Sequence, residues 1–143
     1  MLNERNVTVT QLIASRTLTN NATATANLDT NGADYATILV NISSEVNTNA
    51  VGPTISLLES DDTTVSNFAT VTADITGDAV AAKPIAYGVD LRGRKRYLRL
   101  SVTTPTATND HLVIAAEAVL SRVKRGPAGT TGVVSTNGVC RWV

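Results

Sequence analysis

Alternation with a period of two runs through most of this chain, and it narrows the possible folds more than any other feature. Ala22, Ala24, Ala26 and Leu28 point one way while Thr23, Thr25 and Asn27 point the other. Ala36, Ile38, Val40 and Ile42 interleave with Tyr35, Thr37, Leu39 and Asn41. Ile55 and Leu57 follow Pro53, a residue tolerated where a strand begins. Ala69, Val71, Ala73 and Ile75 alternate with threonines and Asp74, and Ile85, Tyr87, Val89 and Leu91 form a further face. Leu98, Leu100 and Val102 give the cleanest one, and Val7 and Val9 suggest a strand near the start. A period of two is that of a strand buried on one side. Punctuating residues separate the segments: Asn31-Gly32, Asp61-Asp62, Gly77-Asp78, Gly93 and Thr104-Pro105.

His111 to Ser121 fits two periods. It alternates as Leu112, Ile114, Ala116, Ala118 and Leu120, and it also fits a helix capped by Asp110 with Leu112, Ala115, Ala116 and Val119 on one stripe. The surrounding β pattern favours a strand. The expected fold is all-β: an antiparallel sandwich, jelly-roll-like, of about eight short strands. Its 143 residues suit one domain, predicted over 1–123, with an extended arm over 124–143. That arm holds Gly126, Pro127, Gly129 and Gly132 and ends in Val139-Cys140-Arg141-Trp142-Val143, an apolar terminus expected to dock on its own sandwich or on a neighbour.

Composition agrees with this. The chain is 43% hydrophobic but only 3% aromatic, so Val, Leu, Ile and Ala must fill the core. Abundant threonine and valine suit a half-buried pleated surface. Twelve basic and twelve acidic residues cancel, which argues against a nucleic-acid coat or a membrane-surface module. The polar opening Met1–Asn6 does not read as a signal peptide, and folding in the host cytoplasm is expected. One cysteine excludes an intrachain disulfide.

Catalytic patterns are not found in the sequence. The single histidine, His111, reads as an edge residue, and Cys140 sits three residues from the last position. No Cys or His pair has metal-ligand spacing. Glu59-Ser60-Asp61-Asp62 could hold calcium in principle, but it lacks the spaced oxygens and turn glycine of a calcium loop. Glu45, Glu59, Asp74, Asp90 and Glu117 show no pattern favouring paired-carboxylate hydrolysis, and the scarcity of Trp and Phe argues against a sugar platform. The expectation is a non-enzymatic protein without cofactor or metal.

The sharpest feature is Asp90-Leu91-Arg92-Gly93-Arg94-Lys95-Arg96-Tyr97-Leu98. Four cations fall within five residues around a glycine. They read as a solvated hairpin tip, as an interface device, or as a nucleic-acid contact, the last weakened by the zero net charge. Arg side chains bind carboxylates in pairs of hydrogen bonds and are enriched at interface hot spots. Glu59, Asp61 and Asp62 are their natural partners, within one subunit or across a symmetry interface, and Arg99 is expected beside Tyr97 on the solvent face.

This run resembles a segment of small structural proteins encoded among the head genes of tailed bacteriophages. Gly32-Ala33-Asp34-Tyr35-Ala36-Thr37-Ile38, Glu59-Ser60-Asp61-Asp62 and an alanine-rich strand ending Val119-Leu120-Ser121-Arg122 extend the likeness, in the same order, over roughly residues 5–122. The resemblance implies a capsid decoration (cement) protein: a β-sandwich on the virion's shell, bound to the major capsid protein and oligomeric, a trimer favoured over a dimer. On that reading Arg92, Arg94, Lys95 and Arg96 with Glu59, Asp61 and Asp62 make polar contacts, Trp142 is an apolar anchor, and neither nucleic acid nor membrane is a partner. The alternative is a receptor- or carbohydrate-binding module of a phage fibre or tail.

Overall fold

Among the described residues, eleven extended segments realise the alternation. A computed structural model describes residues 7–46, 52–76, 84–105, 110–122, 134–135 and 138–143. The segments are β1 (Val7–Thr19), β2 (Thr23–Asp29), β3 (Tyr35–Val46), β4 (Thr54–Ser60), β5 (Ala69–Thr70), β6 (Ile75–Thr76), β7 (Ile85–Asp90), β8 (Tyr97–Thr103), β9 (His111–Ser121), β10 (Val134–Ser135) and β11 (Gly138–Trp142). Among the described residues a 3-10 turn, Val65–Asn67, interrupts them. The segment from His111 is a strand, with Leu112, Ile114, Ala116 and Ala118 buried.

Pairing is nested. β1 pairs with β9, β2 with β8, β3 with β7, and β4 with β5 and β6, all antiparallel. Two further ladders, β3 with β9 and β4 with β8, gather the nest into sheets ordered β1-β9-β3-β7-β11-β10 and β2-β8-β4-β5. A chain folded double in this way and rolled into two sheets is a jelly roll. β5 and β6 share one of its eight strand positions.

The core lies between the sheets. Ile38, Val40, Tyr87, Val89 and Ile114 from one sheet meet Ile55, Leu57, Leu98, Leu100 and Val102 from the other. Tyr87 is the one aromatic in this cluster, and its hydroxyl donates to the Ile55 carbonyl at 3.1 Å, joining β7 to β4 across the core. The outer face of the smaller sheet explains much of the threonine. Thr23, Thr103 and Thr54 lie in one cross-strand row and Thr25, Ser101 and Ser56 in the next. Cross-strand hydroxyl pairs favour such rows, and Thr23 and Thr103 are 2.9 Å apart.

One expectation needs correction. The alternation over Ala69–Ile75 does not make one strand. Thr70 pairs with Leu58 and Ile75 with Ile55, so residues 71–74 face only Ser56 and Leu57. Two residues too many for the ladder bend out, and Ala73 is exposed. Val7 and Val9 lie in a strand, as expected, and on its solvent side, Val9 at 64% exposure. Register shifts between Gln11 and Ile13 and between Ile13 and Arg16 change which residues face inward, since one extra residue swaps the two faces. The sandwich is antiparallel as expected, with one parallel ladder added where β11 runs along β7. Parallel neighbours need a long connection, and β8 and β9 lie between these two in sequence. The glycines at 126, 129 and 132 and the turn at Gly77-Asp78 lie outside the described residues.

Candidate functional site: the charged end of the sandwich

Antiparallel nesting sends alternate turns to the same end. The β2–β3 turn, the segment after β4, the β7–β8 turn and the last residues of β9 therefore meet. The β7–β8 turn closes on Gly93 at φ +86°, which a glycine adopts without strain, and the Arg94 amide donates to the Leu91 carbonyl at 3.1 Å. Asp90 organises the turn's first half. Its carboxylate accepts from the Arg92 amide at 3.1 Å and from Nε and Nη2 of the same residue at 2.9 and 2.5 Å. These bonds hold the Asp90 carboxyl down to about 2 and raise the Arg92 guanidinium.

The second half of the turn reaches other elements. Arg94 Nη1 lies 3.7 Å from Glu59 Oε1, and the Lys95 amide donates to Glu59 Oε2 at 3.4 Å. Lys95 Nζ is 3.7 Å from Asp61. Arg96 grips Asp29 with two bonds, at 3.0 and 2.8 Å, which lower that carboxyl and raise the guanidinium. Thr30 fastens the same corner by donating its amide and hydroxyl to the Arg96 carbonyl, at 3.0 and 2.6 Å.

Six of the eight residues singled out in the sequence thus gather here. Arg92, Arg94, Lys95 and Arg96 each face a carboxylate of their own chain, and Glu59 and Asp61 are two of those carboxylates. Asp62 has a different task. It accepts from the Thr64 amide at 2.7 Å and from Asn67 Nδ2 at 2.8 Å, capping its own turn, and the Asn67 bond leads in lowering its carboxyl. Trp142 is the last residue of β11, opposite Gly88, and its side chain lies outside the described set.

Sequence reasoning missed Asp29, Asn27 and the aromatic partners of the arginines. Arg92 stacks over Tyr35 at 5.2 Å, Arg96 over Tyr97 at 5.0 Å and Arg99 over Phe68 at 3.8 Å. Arg99, expected on the solvent face, is only 9% exposed. Phe68 folds back across the sheet over its guanidinium, and Nε donates to Asn27 at 2.7 Å. The signal for Asn27 and Asp29 was register: they stand opposite Arg99 and Tyr97 on β2 and β8. A polar cleft of about 270 Å³ adjoins the cluster, between Thr8, the turn at Asn31–Ala33 and Leu120–Arg122. Arg122 Nε donates to the Gly32 carbonyl there.

Among the described residues, no three His, Cys, Asp or Glu side chains are grouped to hold a metal ion, and no helix is long and apolar enough to cross a membrane. His111 begins β9, opposite Thr19 and Val46. Fold and site together define a jelly-roll β-sandwich with one end closed by a charge-balanced cluster of arginines, carboxylates and rings. No protein-family model matches the chain, and no curated protein does. Among solved structures, the CBM36-1 domain of a multidomain xylanase from the hindgut metagenome of Trinervitermes trinervoides is similar, with a TM-score of 0.40 and 11% identity over 87% of this chain and 100% of that one. A likeness at that level carries no argument about function.

Proposed function

We propose that this protein is a non-enzymatic decoration protein of a tailed-phage head, which binds the assembled capsid shell and stabilises it. One observation carries the reading. The four segments that resemble phage head proteins, Gly32–Ile38, Glu59–Asp62, Asp90–Leu98 and Val119–Arg122, lie far apart in sequence, yet nested pairing brings all four to the charged end. Ion pairs hold the Arg-rich turn in one shape before any partner arrives, so little ordering entropy is lost on docking. Arg92 and Arg96 keep side chains 63% and 50% exposed, leaving donors for acidic or carbonyl groups on a shell.

Stabilisation would follow from mass action. A protein that binds the assembled shell and not its dissociated subunits shifts the equilibrium toward the shell. An interface of roughly 800 Å² per partner is sufficient, and oligomerisation multiplies weak contacts. The carbohydrate-binding alternative gains no support from the rings of the charged end, because arginines occupy the faces of Tyr35, Tyr97 and Phe68.

The test uses charge reversal with a built-in control for folding. Arg94→Glu sets two carboxylates together, whereas Arg94→Glu with Glu59→Arg restores an internal pair with the charges exchanged. Shell occupancy, measured by pull-down on purified capsids, should fall in both variants, while thermal stability returns in the double variant. Full occupancy in both, or absence of the chain from mature particles in electron micrographs, would end the decoration reading.

A further inference from the structure

β11 fills the open edge of β7 in a way that does not require both strands to belong to the same copy. Its ladder runs from Val139 opposite Ile85 to Trp142 opposite Gly88. The Val143 amide then donates to the Gly88 carbonyl at 2.9 Å, and its carbonyl accepts from the Asp90 amide at 3.0 Å. The remaining sheet partner of β11 is β10, with Val134 opposite Val139 and Ser135 opposite Gly138, so the two form one hairpin. This hairpin lies outside the nest of antiparallel pairs that builds the jelly roll, and β11 makes the one parallel pairing among the described strands.

The connection is longer than an internal route demands. β9 ends at Ser121, level with Tyr35 and hence with Asp90, while β10 and β11 pair near the level of Ile85. Four inter-strand steps of about 4.8 Å and about five residues of strand rise separate the two points, roughly 25 Å in all. Residues 122–133 reach up to about 40 Å when extended. That segment contains Gly126, Pro127, Gly129 and Gly132, a composition of linkers.

We infer that the hairpin is exchanged between copies of this chain, the β7 edge of one molecule taking β11 of the next. The ladder and the Val143 bonds are identical whether the strand comes from the same copy or from another. The choice therefore depends on concentration, set against the millimolar effective concentration that a short flexible linker provides. Copies held side by side on a common surface meet that condition. Exchange is a low-cost route to assembly, and a donor-to-acceptor contact closes into a ring when the rotation between copies permits. It also leaves no β7 edge open in any copy. The inference does not depend on what the protein binds.

Cys140 makes the test direct, because it is the only cysteine and stands opposite Ala86 in the ladder. Paired positions on adjacent strands lie about 4.8 Å apart, within the Cα range of a disulfide. A size-tagged chain carrying Ala86→Cys with Cys140→Ser is refolded together with the unmodified chain at about 1 mM, then oxidised and run on a non-reducing gel. The mixture contains no chain with both cysteines, so an 86–140 bond forms only between copies. Exchange predicts a tagged–untagged product as the main covalent species, reduced at least tenfold when the mixture is refolded at about 1 µM. A second chain, Ala86→Cys with Cys140 kept, reports pairing within one molecule. Closure of that chain without any mixed product at about 1 mM overturns the inference. So does the absence of both bonds in chains whose circular dichroism is unchanged, since β11 then does not sit on the β7 edge.

Discussion

The two ends of the sandwich are closed by different chemistry. At the charged end, Arg92, Lys95 and Arg96 face Asp90, Asp61 and Asp29 in largely solvated pairs, and Arg94 faces Glu59 in a half-buried one. At the other end a single neutral side chain is central. Thr104, 2% exposed, follows β8, and its hydroxyl accepts from the Ala22 amide at 2.9 Å while lying 3.0 and 3.2 Å from the Thr19 and Ala22 carbonyls. Main-chain bonds complete that clasp, from the Asn20 amide to the Asp110 carbonyl and from the Asn21 amide to the Pro105 carbonyl, each 2.9 Å. A buried hydroxyl that both donates and accepts is costly to lose, because water does not replace its bonds in a closed end. Exposed ion pairs contribute little each and weaken with salt. The contrast teaches that the end richest in charge is not the end that stabilises the fold most per residue.

The largest effect is therefore expected at the neutral end. Thr104→Val removes all three hydroxyl contacts, although the Ala22 amide keeps the Thr19 carbonyl and the Ala22 carbonyl keeps the Thr104 amide; it should cost about 1–3 kcal/mol in urea unfolding, and salt should not change that loss. A cost below that of the charged-end variants would reverse the comparison. Gly93→Ala comes next. The added Cβ meets no atom within 4 Å, so its penalty is the positive φ alone, about 1–2 kcal/mol. A neutral outcome in thermal melts would mean that the turn relaxes away from φ +86°.

Smaller again is Glu59→Gln, which leaves Arg94 without its carboxylate. A loss of about 1 kcal/mol or less is expected in low salt, fading toward zero in about 1 M NaCl. If the difference persists at high salt, the pair behaves as a buried one. Acid should expose the charged end selectively. Asp90 is held down to about 2 in the folded state and lies near 3.8 in an unperturbed chain, so its contribution is complete above the ordinary carboxylate range and is lost as pH falls through about 2. Asp29 and Asp62 are lowered as well and act in the same direction. Asp90→Asn should flatten the decline in melting temperature between pH 4 and about pH 2, the smallest of these effects, and lower the pH 6–8 plateau slightly while leaving it flat. An unaltered acid slope would remove Asp90 from this account.

How much was legible follows from the range of each interaction. Ile38, Val40 and Ile42 reveal their inward face locally, because a strand's two sides alternate whatever it pairs with. The same rule failed over Ala69–Ile75, where the alternation is as regular but β4 offers two residues too few to pair with it. At the charged end, Arg94 and Lys95 with Glu59 and Asp61 were legible as complementary charge. Asp29 was not, because what marks it is standing opposite Tyr97, next to Arg96, and that register is set by the whole β2–β8 ladder. Arg99 looked like a solvent-facing strand residue until Phe68, thirty-one positions away, covered it.

The all-β class, the aliphatic core and the two pools of charge follow from the residues alone, since periodicity, side-chain volume and ionisation belong to residues. The assembled fold is needed to place β1 beside β9 in one sheet and β2 beside β8 in the other, to close the charged turn with carboxylates of its own chain, and to run β11 parallel along β7. Backbone hydrogen bonds look alike in every candidate pairing. The choice among pairings rests on which arrangement buries all the inward faces at once, a property of the assembled sheets that no single segment carries.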